Sequence, residues 1–152
     1  MFVSGTIRLV DRAALRFRLA SERCRQLGGT VANVLYVDDE EAIRRALQSW
    51  LTRRGHTVYT AATGAEAREI LTSHDVHGAF IDIWLGTESG FDLFEWIDMH
   101  KPRVAEHVVF VTGDIVRDPD VEQALVALER PVLAKPFELG ELERIVTNWS
   151  EG

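Results

Sequence analysis

The chain has 152 residues, 17.1 kDa, with 46 % hydrophobic and 27 % charged side chains and a formal net charge of −7. That is the size and composition of one globular domain with or without a tail, and it excludes a wholly disordered chain. A single cysteine, Cys24, excludes an internal disulfide and a cysteine-based zinc site.

The first thirty residues carry six arginines against Asp11 and Glu22, so this head is basic and residues 31–152 are acidic, at −11. An acidic domain is repelled by a phosphate backbone, so direct DNA binding is not expected. No apolar run is long enough to span a bilayer and no apolar leader segment opens the chain. The expected setting is cytoplasmic, without a membrane partner.

Within residues 1–30 two readings stand. Asp11 to Leu27 carries Ala13, Phe17, Ala20, Cys24 and Leu27 at alternating four and three spacing, a narrow helical stripe. Such a stripe suits pairing with the rest of the chain or with a second copy in a homodimer. Alternatively Gly5–Leu9 followed by Arg16–Leu19 resembles the last strands of a histidine-kinase ATP-binding domain.

From Asn33 onward strands and helices alternate. Asn33–Val37 is an apolar, β-rich run, and Glu40–Arg54 repeats Ile43, Leu47, Trp50 and Leu51 at helical spacing before Gly55 stops it. Thr57–Ala61 reads as strand, and Thr63–Ser73 as helix, with Thr63 and Glu66 in a capping-box pattern. Ala79–Ile83 is strand, Gly86–Gly90 loop and Phe91–Met99 helix. Val108–Val111 is strand. Pro119–Glu129 is a helix capped by Asp118, with proline in its first turn. Val132–Ala134 is a last short strand and Leu139–Trp149 a last helix. Uniformly apolar strands alternating with helices predict an α/β fold with a parallel sheet covered on both faces.

The informative residues interrupt the apolar runs. Asp38 and Asp39 end the first strand, Asp82 lies in the third, Thr112 ends the fourth and Lys135 follows the fifth. In an open parallel sheet all carboxyl ends lie on one edge, where sites form. There, clustered carboxylates favour a hard divalent cation such as Mg2+, and one of them can attack phosphorus. A lysine and a hydroxyl beside them would balance phosphoryl charge.

These residues resemble the receiver domain of two-component response regulators. The resemblance runs from Asn33 to Trp149 and rests on V-D-D-E at Val37–Glu40, F-I-D-I at Phe80–Ile83, F-V-T-G at Phe110–Gly113 and A-K-P-F at Ala134–Phe137. It implies a doubly wound five-stranded parallel sheet of flavodoxin-like order 2-1-3-4-5, occupying residues 31–152 behind an N-terminal extension at 1–30. It implies Asp82 as phosphoacceptor, and Asp38, Asp39, Asp82 and the backbone carbonyl of Trp84 as Mg2+ ligands. Thr112 and Lys135 would engage the phosphoryl group, Gly113 would leave its entrance open, and the Lys135–Pro136 bond would be cis. The donor would be a histidine kinase or a histidine phosphotransfer protein. On this reading the chain is a signalling phosphoacceptor rather than an enzyme.

Departures from the family pattern are informative. Val132 stands where many receivers carry an aromatic residue that swings inward. The segment Leu128–Lys135 resembles receivers attached to hybrid histidine kinases, and the strand pair at 5–19 is similar to the end of such a kinase's ATP-binding domain. Gly86 replaces a common proline. Trp84 and Asp114 are expected to flank the path of attacking water and to set the phosphoryl lifetime. The 17 residues after Lys135 accommodate one helix, so output through binding or relay is expected. A phosphorylation-independent interaction module is the alternative. An aspartyl phosphohydrolase is disfavoured because Trp84 replaces its second aspartate.

Overall fold

The computed structural model describes residues 31–113 and 118–149. Both readings of residues 1–30, and the expectation for Asp114, lie outside the described residues.

Five strands form the sheet: β1 (Asn33–Val37), β2 (Thr57–Ala61), β3 (Gly78–Asp82), β4 (Val108–Thr112) and β5 (Val132–Ala134). All pairs are parallel and the order is β2-β1-β3-β4-β5, the flavodoxin-like order that the resemblance implied. The helices are α1 (Glu41–Thr52), α2 (Gly64–Ser73), α3 (Gly90–His100), α4 (Pro102–Ala105), α5 (Pro119–Leu128) and α6 (Leu139–Val146).

Side chains alternate across each strand, so one sheet feeds two cores. Leu35, Val37, Ala79, Ile81 and Phe110 face α2, α3, α4 and α5 through Leu71, Leu93, Ile97, Ala105 and Leu125. Val34, Tyr36, Phe80 and Val111 face α1 and α6 through Leu47, Leu51, Leu142 and Val146. Trp149 seals the second core, 4.9 Å from Phe80 between ring centroids. A Cβ on Gly78 would lie 2.6 Å from the Trp149 ring, so only glycine lets β3 start beneath it.

Element ends moved by one to three residues from their sequence positions, with local causes. Gly55 adopts φ +92° after α1, and its N–H closes the helix by donating a hydrogen bond to the Thr52 carbonyl. Asp118 caps α5 through the Asp120 amide, and Glu129 takes the left-handed conformation, ending α5 at Leu128. Thr63 accepts from the Glu66 amide, while the Glu66 carboxylate reaches the Ala62 amide, one residue ahead of the cap. α6 stops at Val146, and Trp149 is buried from the turn beyond it. The single turn α4, begun by Pro102, has no periodic signal in the sequence.

Candidate functional site

Parallel pairing brings the carboxyl ends of β1, β3, β4 and β5 to one edge. Val37 pairs with Ile81, Asp82 with Val111, and Thr112 with Ala134. Asp38, Asp82, Thr112 and Lys135 are thereby set at that edge. Asp38 is fully buried, and Asp82 and Thr112 are nearly so. Three of these residues meet directly. Lys135 Nζ lies 2.7 Å from Asp38 Oδ2 and 2.9 Å from Asp82 Oδ2, and 3.3 Å from Glu40 Oε1. Its amide donates to the Thr112 carbonyl at 2.8 Å, and the bond to Pro136 is cis, as the resemblance implied.

Each buried carboxylate is held at both oxygens. Asp82 Oδ1 accepts from the Trp84 amide at 3.0 Å while Oδ2 faces Lys135. Asp38 Oδ1 accepts from the Glu40 amide at 2.9 Å, and Oδ2 accepts from the Tyr36 hydroxyl at 2.8 Å. Such pairing is what a buried carboxylate requires. Burial pushes the Asp82 carboxyl above its ordinary range, against the pull of Lys135 and the Trp84 amide. Burial alone would lower the Lys135 ammonium, but its bonds to Asp38 and Asp82 outweigh this and raise it. The lysine is therefore charged at neutral pH.

The loop after β3 is pinned by two bonds, Leu85 amide to Glu88 carbonyl and Gly90 amide to Ile83 carbonyl. They flank the Trp84–Ser89 bridge and leave the Trp84 carbonyl outside it. The Trp84 side chain is 56 % exposed. An Arg68–Glu88 ion pair ties the loop to α2. A Cβ on Gly90 would lie 2.3 Å from the Asp82 carbonyl, so the glycine permits α3 to start directly against the site strand. Gly86 sits at φ +79°, which the fixed proline ring cannot adopt; the departure at this position follows from the loop's path. A Cβ on Gly113 would meet only the Lys135 Cδ, at 3.8 Å.

Carboxylate oxygens of Asp38, Asp39 and Glu40 lie within 4.8 Å of one another, with Asp39 and Glu40 exposed. Asp38 and Glu40, with Asp82, place three carboxylates around one ammonium. That oxygen-only, negatively charged edge fits a hard divalent cation. Asp39 stands in this acidic group, whereas Asp82 is engaged by Lys135. Two participants carried no role in the sequence reading, Tyr36 and Glu40. Strand period two puts residue 36 on the face of residue 38, which is the signal for the first. Glu40 reaches Lys135 across 95 positions of sequence, which no local pattern encodes.

A family model, the response regulator receiver domain, matches residues 34–147. The transcriptional regulatory protein GltR of Pseudomonas aeruginosa is 31 % identical over 72 % of this chain and 45 % of its own length. The TorCAD operon transcriptional regulatory protein TorR of Escherichia coli is 33 % identical over 76 % of this chain and 49 % of its own. The chain thus spans about half the length of these curated relatives. Among solved structures, a response regulator receiver domain protein from Methanospirillum hungatei superposes with a TM-score of 0.66 at 24 % identity, covering 81 % of this chain and all of that one. The chemotaxis response regulator CheY4 of Vibrio cholerae gives 0.64 at 26 %, covering 76 % and 99 %. The chain belongs to the receiver-domain family of two-component response regulators.

Proposed function

We propose that this chain accepts a phosphoryl group on Asp82 from a phosphohistidine, and that the acyl phosphate changes which partner it binds. The donor is a histidine kinase or a histidine phosphotransfer protein. The observation that carries the reading is the buried Asp82 carboxylate, fixed between the Trp84 amide and Lys135 Nζ at the edge where Asp38 and Thr112 also end.

In the transfer, an Asp82 carboxylate oxygen attacks phosphorus, a new O–P bond forms, and the N–P bond breaks with its electron pair returning to the imidazole. Lys135 is charged and within reach of any group on Asp82, so it neutralises the phosphoryl oxygens. The Thr112 hydroxyl is assigned to hydrogen-bond them. Asp38 and Asp39, with Asp82 and the Trp84 carbonyl, are assigned to hold Mg2+, which when bound supplies positive charge to the same oxygens. The protein is a signalling phosphoacceptor, not an enzyme with a small-molecule substrate. The acidic residues 31–152 disfavour direct DNA contact through this domain.

One observation favours a second reading, signalling without phosphorylation. Val132 is buried in the core beside Phe110 and has no ring to swing, so output through an inward-moving aromatic is absent at this position. The two readings separate on incubation with acetyl phosphate and Mg2+. A single phosphoryl mass adduct in the parent and none in Asp82→Ala supports phosphoacceptance. Absence of the adduct, with beryllofluoride also failing to bind, leaves the interaction module.

A further inference from the structure

Tyr36 stands in a strand whose other members are aliphatic apart from Asn33. Its ring is fully buried between β1 and the second core, 6.2 Å from the Phe80 ring. Phenylalanine would supply the same packing, so the hydroxyl needs its own explanation. It donates to Asp38 Oδ2 at 2.8 Å, the same oxygen that faces Lys135 Nζ at 2.7 Å. We propose that Tyr36 is a positioning residue of the phosphoryl site, its hydroxyl holding the Asp38 carboxylate in the orientation that serves a divalent cation. This rests on the reading above and deepens it.

Among the described residues Asp38 has three donors: the Glu40 amide, the Tyr36 hydroxyl and Lys135. The amide is fixed by the backbone and serves only Oδ1. Lys135 is shared among Asp38, Asp82 and Glu40, and it is the group assigned to the phosphoryl oxygens. When Lys135 turns to them, Tyr36 is the donor that stays on Oδ2 among the described residues. Without it a fully buried carboxylate oxygen either stands unsatisfied or rotates away, and either outcome weakens the site. Hydrogen bonds that orient metal-binding groups typically set 10–100-fold of metal affinity.

The test is Tyr36→Phe, which removes one oxygen and keeps the packing. Calorimetric titration with Mg2+ is expected to give a dissociation constant about tenfold or more above the parent's. On an Asp38→Asn background the same change is expected to add little, because the partner is already altered. In the parent, proton NMR is expected to show a slowly exchanging tyrosine hydroxyl that shifts on Mg2+ addition. Equal Mg2+ affinity in parent and Tyr36→Phe, or full additivity with Asp38→Asn, overturns the assignment. Should Tyr36→Phe fail to fold, the parent's hydroxyl resonance decides, and a signal unmoved by Mg2+ overturns it. A parent that binds no Mg2+ overturns the functional reading itself, a result distinct from these.

Discussion

Replacing Lys135 with methionine removes one charge from the centre of the site and keeps the aliphatic stem. The side chain is 11 % exposed, and its ammonium lies 2.7 Å and 2.9 Å from carboxylates that are 0 % and 7 % exposed. At an effective dielectric of about 20, each contact attracts by about 6 kcal/mol. Much of that is offset by the cost of taking the charges out of water, and losing one partner of a buried pair costs about 3–5 kcal/mol net. The contact with Glu40, 58 % exposed, adds at most about 1 kcal/mol. With a urea dependence of about 2 kcal/mol per molar, the unfolding midpoint falls by roughly 2 M. The deficit has a pH signature. The folded Asp82 carboxyl, which burial already raises, loses the counterion that opposed the rise. Its protonated form is tolerated, so the deficit grows as pH rises through the raised folded pKa and shrinks in acid. Added Mg2+ is expected to stabilise Lys135→Met more than the parent, because the ammonium no longer competes for Asp38 Oδ2. Urea titrations at pH 5 and pH 8, with and without Mg2+, read all three effects. A loss under about 1 kcal/mol that is the same at both pH values refutes the argument that Lys135 neutralises a buried acidic pair.

Three further outcomes follow from other parts of the fold. His56 is nearly buried and its Nδ1 accepts from the Ala32 amide, and burial holds its pKa below the usual 6.5, with Arg54 acting the same way against Glu143. The unfolded chain therefore binds the proton more readily, and stability falls as pH drops from about 6.5 toward the lower folded value; His56→Asn, which keeps an acceptor but cannot be protonated, should flatten that slope in urea titrations. Gly90→Ala places a Cβ 2.3 Å from the Asp82 carbonyl and 3.0 Å from Ile81 Cγ2, so the backbone must shift; a loss of about 1–3 kcal/mol is expected in thermal unfolding, together with slower adduct formation on Asp82. Trp149→Ala empties a site that is 1 % exposed and roofs Gly78 and Phe80, with an expected loss of about 3–5 kcal/mol by denaturant titration.

The sheet and the site edge were legible because the polar residues fall where apolar runs end. Asp38, Thr112 and Lys135 each mark a strand terminus, and Asp82 is the acid inside an otherwise apolar strand. Parallel topology then makes four termini one place. The connections among those residues were not legible. That Lys135 bridges Asp38, Asp82 and Glu40 depends on a long side chain crossing from β5 to β1, a distance in sequence that no periodicity spans. The hydroxyl of Tyr36 was hidden for another reason, since its ring satisfies the apolar pattern of β1 and masks the polar atom. Gly90 read as the end of a loop and Gly78 carried no reading, whereas their roles are close approach to the Asp82 carbonyl and to Trp149. The turn α4 is too short to establish a period. Gly86 read as the start of a loop, its departure from proline showed only by comparison with the family, and its φ of +79° supplies the physical reason.

Asp82 is the proposed acceptor, and borohydride tests this at a single residue. An acyl phosphate is reduced by borohydride to an alcohol, which converts a phosphorylated aspartate to homoserine, whereas a free carboxylate is inert. The protein is incubated with acetyl phosphate and Mg2+, treated with borohydride and mapped by peptide mass spectrometry. Homoserine is expected at position 82 and nowhere else, dependent on the phosphodonor. Homoserine at another aspartate, with residue 82 unmodified, would contradict it.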